Sequence, residues 1–594
     1  MNEAERYCNE NNKVFEKISI VCLIGLTLLM WLYIINSTCN AYVQNDYIGK
    51  VSALMNPDYI KESLMTKKVL YGSLFCVFSN WLSLAVFQLN YYFEEVLTVI
   101  AIFMMGLVFR GRIIWSENIK KIGNKTGTII LYLIILLILF SLSKWEMILN
   151  STGYPHFCAY ASFFFYYLLL DQWYRYKQSK LYCLVLFYPI LTYLLWAAFY
   201  ISVLSMTTSL VICIRMYLDK ASRCKQSILV VISSLAPSII YVVAEYLSHA
   251  TRIMVGESRS QAMDVIPVIL SAPHNSCKFL VMSFASELLG VEAISRYGIT
   301  EGMVMFLGVI DILFYLIVIT VFFRNKMYEN GLFPIFLIIT SLVGHLIIFY
   351  SRIGMGVTYG MSSRYSLTYF SGQIGMIYIV YDYLQHSSKK IRSVVKRGDK
   401  VFVVLLAIAA VIIVVCNGIT SFDEIRMMPF REAYYEGFRK TIYYFENYSK
   451  KELSTAYGNT DQEETLRVLK FLKKKHLNAW TDIGSHYREI YKSEGFYDDG
   501  WISDNVNCIV KTREKGIVTI HCYYPDKPKK GGTISVRSNN GSDVKKNLRQ
   551  GKFDLQIKEK KDDYIMLEIT TNWTDNSNED IRGRSFVVEG IEGT

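Results

Sequence analysis

The chain has 594 residues, of which 52% are hydrophobic and 19% charged, and its mean hydropathy is positive. A water-soluble protein of this length is rarely so apolar, so the composition points to the membrane. The formal net charge of +12 calls for no nucleic-acid partner, because its placement along the chain has another explanation.

A bilayer core takes about 20 apolar residues per helix. Eleven spans are expected, at residues 18–35, 93–109, 128–142, 157–170, 181–199, 203–218, 227–246, 303–323, 332–350, 367–383 and 401–416. The first has a long charged lead and no A-x-A cleavage pattern, so it reads as a retained anchor rather than a signal peptide. Residues 71–89 are apolar enough to span but carry Ser79, Asn80, Ser83 and Gln88. They read as a helix lying on the outer membrane surface. Lys and Arg concentrate in short loops at 110–125, 175–180, 215–225, 324–326 and 389–400. The positive-inside rule makes these loops cytoplasmic. The N-terminus is then inside. The outer segments are 36–92, 143–156, a turn near Tyr200, 247–302, 351–366 and everything after Asn417.

Past Asn417 the composition changes. Residues 432–448 and 462–475 have helical apolar spacing and belong to a connector on the membrane. Short alternating runs at 509–511, 517–523, 533–536, 553–557, 564–570 and 586–588, bounded by turn residues, predict six strands and a β-sandwich. The expected fold is an α-helical polytopic membrane protein with a C-terminal α+β soluble part. Its divisions are a transmembrane domain at 1–418, a helical connector outside the membrane at 419–494 and an extracytoplasmic β-sandwich at 495–594. The 12 cysteines include no C-x-x-C and no zinc-spaced Cys/His set. For Cys508 and Cys522, placed on adjacent predicted strands, a disulfide and an unlinked buried pair both stay open. There is no P-loop, G-x-G-x-x-G or H-E-x-x-H, so ATP hydrolysis, dinucleotide chemistry and zinc-protease work lack support.

Ionisable groups near the outer surface are the informative ones in a membrane protein. Asp46 follows the first span, Glu94 and Glu95 open the second, and Trp145-Glu146 closes the third. Arg352 and Arg364-Tyr365 flank the loop between the ninth and tenth, while Arg252, Arg259 and His274 lie in the long fourth outer segment. Each has a plainer role: a solvated loop acid for Asp46, helix-end carboxylates for the glutamates, an interfacial belt residue for Trp145, a general lipid-phosphate contact for Arg364 and a structural role for His274.

An inside N-terminus, one span, an outer loop with an early Asp and a surface helix before the second span together resemble the GT-C class of membrane glycosyltransferases. Three stretches resemble bacterial polytopic proteins of that kind. Phe140-Ser141-Leu142-Ser143-Lys144-Trp145-Glu146 is similar to an F-S-L-x-x-W/Y-E-N motif, with Met147 in place of Asn. Ser363-Arg364-Tyr365 is similar to an S-R-Y at the outer start of a late span, and 469–478 to an L-x-x-L-K-K-x-x-L-N helix past the last span. A His-Asn-Glu-His-Arg motif of that set has no counterpart at 65–71. In the tail, 495–501 and 580–586 resemble the opening and closing motifs of β-sandwich domains in bacterial surface-polysaccharide proteins, with Arg584 at a usual Leu position.

The resemblance implies an inverting-type transferase that moves a sugar from a polyprenyl-phosphate-linked donor to a cell-surface glycan, in the plasma membrane and without nucleic acid. Asp46 is then the base, with Glu95 next in line. Arg364, Tyr365, Trp145, Glu146, Arg352 and Glu94 bind substrate. No cofactor is implied, and a divalent metal is left open. Two other classes stay open: a flippase or transporter of lipid-linked glycan, and a non-catalytic polysaccharide-assembly protein.

Overall fold

The computed structural model describes residues 3–38, 45–58, 74–115, 125–176, 179–196, 200–219, 222–254, 265–391, 397–443, 445, 449–451, 453, 462–482, 491–492, 495–497, 500–525, 532–561, 563–574 and 583–594. The chain divides into two compact units, 1–40 with 46–437 and 41–45 with 438–594.

The first unit is helical. It opens with α1 (Glu3–Ile35), α2 (Asn45–Leu54), α3 (Leu74–Ala85), α4 (Tyr91–Ile114) and α5 (Lys125–Leu139). The one-turn α6 (Trp145–Ile148) leads into α7 (Tyr154–Tyr176), α8 (Ser179–Leu195), α9 (Ile201–Leu218) and α10 (Lys225–Met254). Then come α11 (Val265–Ser271), α12 (Pro273–Leu288), α13 (Val291–Arg296), α14 (Glu301–Arg324), α15 (Phe333–Arg352), α16 (Ser363–Ile391), α17 (Arg397–Arg426) and α18 (Met428–Tyr443).

Among the described residues, eight segments are long and apolar enough to cross a bilayer: Val14–Ile35, Tyr91–Ile114, Thr126–Ile148, Ile201–Leu218, Lys225–Val243, Glu301–Arg324, Phe333–Met355 and Phe402–Arg426. That is fewer than the eleven expected. The other three expected spans fall on α7, α8 and α16. Helix α7 buries Asp171, Gln172 and several tyrosines, α16 buries Ser371 and Gln373, and α8 has only 17 residues with Pro189 inside. Helices lined with protein need less hydropathy than helices lined with lipid.

The expected outer segment 247–302 contains helices. It holds α11 and α12, an apolar pair bent by 103° at one residue. Most of the second half of α12, from Met282 to Leu288, is buried. Pro267, Pro273 and the polar run His274-Asn275-Ser276 dilute its hydropathy and hide it from a sequence window. The short α3, in contrast, lies within the stretch read as a surface helix. Its polar Ser79, Asn80 and Ser83 are buried rather than turned to water, while Phe78 and Trp81 are exposed.

Two arginines credited to the cytoplasmic charge bias are also structural. Arg112 and Arg175 both pair with the buried carboxylate of Asp171 at 3.2 Å. The other Asp171 oxygen accepts from the Leu332 and Phe333 amides at 2.6 and 3.3 Å and caps α15.

In the second unit, α19 (Gln462–Lys475) and α20 (Ala479–Asp482) precede eight strands. One sheet has the order β1 (Tyr491–Lys492), β2 (Asn505–Lys511), β7 (Tyr564–Thr571), β4 (Thr533–Ser538), β5 (Asp543–Asn547). The other is β6 (Gly551–Lys558), β3 (Ile517–Tyr524), β8 (Val587–Gly593). Alternate residues of both sheets, among them Val506, Val510, Ile520, Leu555, Leu567 and Ile591, fill one core. Cys508 and Cys522 face that core from different sheets, not from adjacent strands, and are not linked. The two tail motifs meet: Ile502 N donates to Phe586 O at 3.0 Å, Ser585 N to Ile502 O at 2.8 Å, and Arg584 lies over the Trp501 ring at 4.8 Å.

Candidate functional site

The Phe140–Glu146 motif is a designed break in the helix. Past the end of α5, Ser141 caps the next turn, its hydroxyl accepting from Ser143 N at 3.3 Å, while Leu142 N donates to the Ser421 hydroxyl at 3.1 Å. A single 3-10 turn follows, and α6 starts at Trp145. This brings Glu146 to the first turn of α16. There the hydroxyls of Ser362 and Ser363 each donate to Oε2 at 3.1 Å. Arg364 donates Nε at 2.9 Å, and Nη2, to Oε1. The two motifs that the sequence offered separately therefore form one charge-assisted cluster. The Arg364 side chain remains 42% exposed, while its Nε and Nη2 are bonded to Glu146.

Tyr365 packs beside Tyr359, with ring centroids 6.1 Å apart, and lies within electrostatic reach of Arg364 and Arg352. Arg352 is half-buried at the end of α15. His156 and Tyr200 bond to each other at the same patch, the imidazole within electrostatic reach of Arg364 and the phenol within reach of Arg352. Neither was singled out from sequence as a site residue, because an isolated His or Tyr near a membrane boundary carries no pattern.

Trp145 faces elsewhere. Its Nε1 donates to Glu292 Oε1 at 2.6 Å, and the Arg431 guanidinium carbon sits 3.2 Å from its ring centroid. Arg431 is in turn paired with Glu424 at 3.0 Å. One face of the indole is thus covered by a cation, which leaves at most the other for a sugar.

The remaining acids gather around α2 and α4. Asn90 caps α4 by accepting from Tyr92 N at 2.9 Å, which sets Glu94 in the first turn. Glu94 is buried, paired with Lys50 of α2, and accepts from the Ser83 hydroxyl at 2.7 Å. Glu95 is fully buried, lies against Tyr91 and is within electrostatic reach of Tyr435. Asp46 is exposed in the first turn of α2, one turn before Lys50. The structure therefore groups Glu146, Arg364, Tyr365 and Arg352, leaves Asp46 open to solvent, and encloses Glu94 and Glu95. His274 is exposed at the start of α12, whereas the Arg252 side chain and Arg259 lie outside the described residues, as does 65–71. Among the described residues no three His, Cys, Asp or Glu side chains converge to hold a metal ion.

No protein-family model, curated protein or solved structure matches the chain.

Proposed function

We propose that the protein is a membrane glycosyltransferase that moves a sugar from a polyprenyl-phosphate-linked donor to an extracytoplasmic cell-surface glycan. In this reading the chain crosses the plasma membrane eleven times, with α7, α8 and α16 counted and the α11–α12 pair re-entrant from outside. The N-terminus is cytoplasmic, and the second unit is extracytoplasmic.

The observation that carries the reading is the Arg364 cluster. A donor phosphate at the membrane surface needs a cation with fixed direction and free donors. Arg364 is oriented by Glu146, which Ser362 and Ser363 hold in turn, remains partly exposed, and shares the neighbouring Tyr365 with Arg352. Asp46 is the base in preference to Glu95, because Asp46 is exposed and Glu95 is sealed. The acceptor hydroxyl gives its proton to Asp46 as its oxygen attacks C1. The C1–O bond to phosphate breaks with its electrons on the phosphate, and Arg364 and Arg352 bear that charge.

Glycan composition in cells with and without the gene tests the reading. Loss of one sugar or branch is expected. Loss of the whole polymer would instead indicate a flippase, and altered chain length an assembly factor.

A further inference from the structure

Deep in the helical unit lies a polar cluster that the proposed transfer chemistry does not use. Glu287 of α12 is buried and accepts from the Tyr315 hydroxyl of α14 on Oε1 at 2.7 Å. Its Oε2 lies 3.0 Å from Nε2 of the buried His345 of α15. The His345 ring is stacked between Phe284 and Tyr369, with centroids 3.9 and 3.8 Å away. Asp311, one turn before Tyr315, is 1% exposed, and neither of its carboxylate oxygens has a hydrogen-bond partner among the described residues. It stands within electrostatic reach of Glu287, Tyr315 and Cys416.

Two features make the site sensitive to its proton count. A charged carboxylate with no donor in such a place would cost several kcal/mol. The Ser283 hydroxyl lies 2.8 Å from both Leu280 O and His345 Nδ1, and has one hydrogen for the two. If it points to Leu280 O, Nδ1 must carry a proton to bond it. If it points to Nδ1, the imidazole is neutral. The geometry accommodates both proton counts without moving a heavy atom.

We propose that Asp311, Glu287 and His345 form an intramembrane proton-binding site, in which an exchangeable proton on Asp311 is held against the charge of the Glu287–His345 pair. The groups facing it are Glu287 from α12, His345 from α15, Tyr369 from α16, Cys416 from α17 and Tyr315 on its own helix; Lys278 is paired with Glu301 at the ends of α12 and α14. The network continues to α16 and α17. Gln373 Nε2 donates to Glu287 O at 2.5 Å and Asn417 Nδ2 to Gln373 Oε1 at 2.9 Å, so α16, which carries Arg364 at its start, is tied to the site. A Cβ at Gly372 would collide with the Tyr315 hydroxyl, so glycine is what admits Tyr315 to this contact. The proposal does not depend on the glycosyltransferase reading.

Infrared difference spectroscopy of the full-length protein in lipid, titrated with pH, tests it. A protonated-carboxyl C=O band should be present, should shift when aspartate is labelled with carbon-13 at its side-chain carboxyl, and should vanish as pH rises. Asp311→Asn should remove it. Glu287→Gln removes the neighbouring negative charge that favours the proton, so the band should vanish at lower pH than in wild type. No aspartate-derived band, one that survives in Asp311→Asn, or an unmoved midpoint in Glu287→Gln would overturn the proposal. Loss of the band on adding sodium at fixed pH would overturn it in favour of a metal-cation site. The isotope shift needs no substitution, so the absence of an aspartate-derived band overturns the proposal even where a variant fails to fold.

Discussion

At the residue scale, several buried charges among the described residues are paired, and pairs behave asymmetrically. Lys50 and Glu94 are 2% and 1% exposed. Removing one partner strands the other, a loss of about 3–5 kcal/mol, whereas replacing both by apolar groups is often neutral. Lys50→Met should therefore sharply lower the thermal stability of the purified protein, and Lys50→Met with Glu94→Leu should recover most of it. Equal damage in the single and double variants would contradict this. Arg364 obeys different rules because it is partly exposed. Arg364→Lys keeps the charge but loses the planar fork that meets Glu146 along one edge. Sugar transfer should fall while the amount of inserted protein stays near wild type, as read by quantitative immunoblot alongside glycan labelling. Unchanged transfer would remove Arg364 from the donor site.

At the element scale, Asp171 joins α4, α7 and the start of α15. Asp171→Ala would leave two arginines without their carboxylate and α15 without its cap. It should cost about 3–5 kcal/mol, seen as loss of the folded peak in size-exclusion chromatography; an unaffected peak would show that the cap is dispensable. In the tail, burial pushes the Cys522 thiol up to about 12, so thiolate becomes plentiful only near that pH. At neutral pH Cys522 should resist a water-soluble maleimide until the protein is unfolded, and rapid labelling of the native protein would mean that the two sheets open. These elements also show what the sequence carried. Long apolar runs such as 14–35 and 402–426 are plain in composition because lipid is their solvent. Helices α7 and α16 were still legible as apolar runs despite their buried polar residues, whereas in α12 the polar run His274-Asn275-Ser276 and the neighbouring prolines hid the signal. The strands at 517–524 and 564–571 alternate cleanly, but β5, Asp543–Asn547, is a charged, largely exposed edge with no apolar period to detect. Of the candidate site, the short motifs located Glu146, Arg364 and Tyr365. Sequence did not reveal that Glu94 and Glu95 are enclosed, because burial depends on Lys50 and Tyr435, which lie far away in the chain.

At the scale of the whole molecule, the account requires an odd number of crossings. A reporter fused after Lys400 should be cytoplasmic and one fused after Thr594 external. A cytoplasmic report at Thr594 would make the number even and remove the outer location of the Arg364 cluster and Asp46. The most direct test of the central claim is sugar incorporation into surface glycan by cells carrying wild type, Asp46→Asn or Glu95→Gln at matched protein levels. An exposed loop-end substitution typically costs no more than about 0.5 kcal/mol, while loss of a general base costs on the order of 10²–10⁴-fold in rate. The account predicts that Asp46→Asn inserts normally and loses transfer by that factor, with Glu95→Gln changing transfer only as far as it changes stability. Wild-type transfer in Asp46→Asn would contradict it.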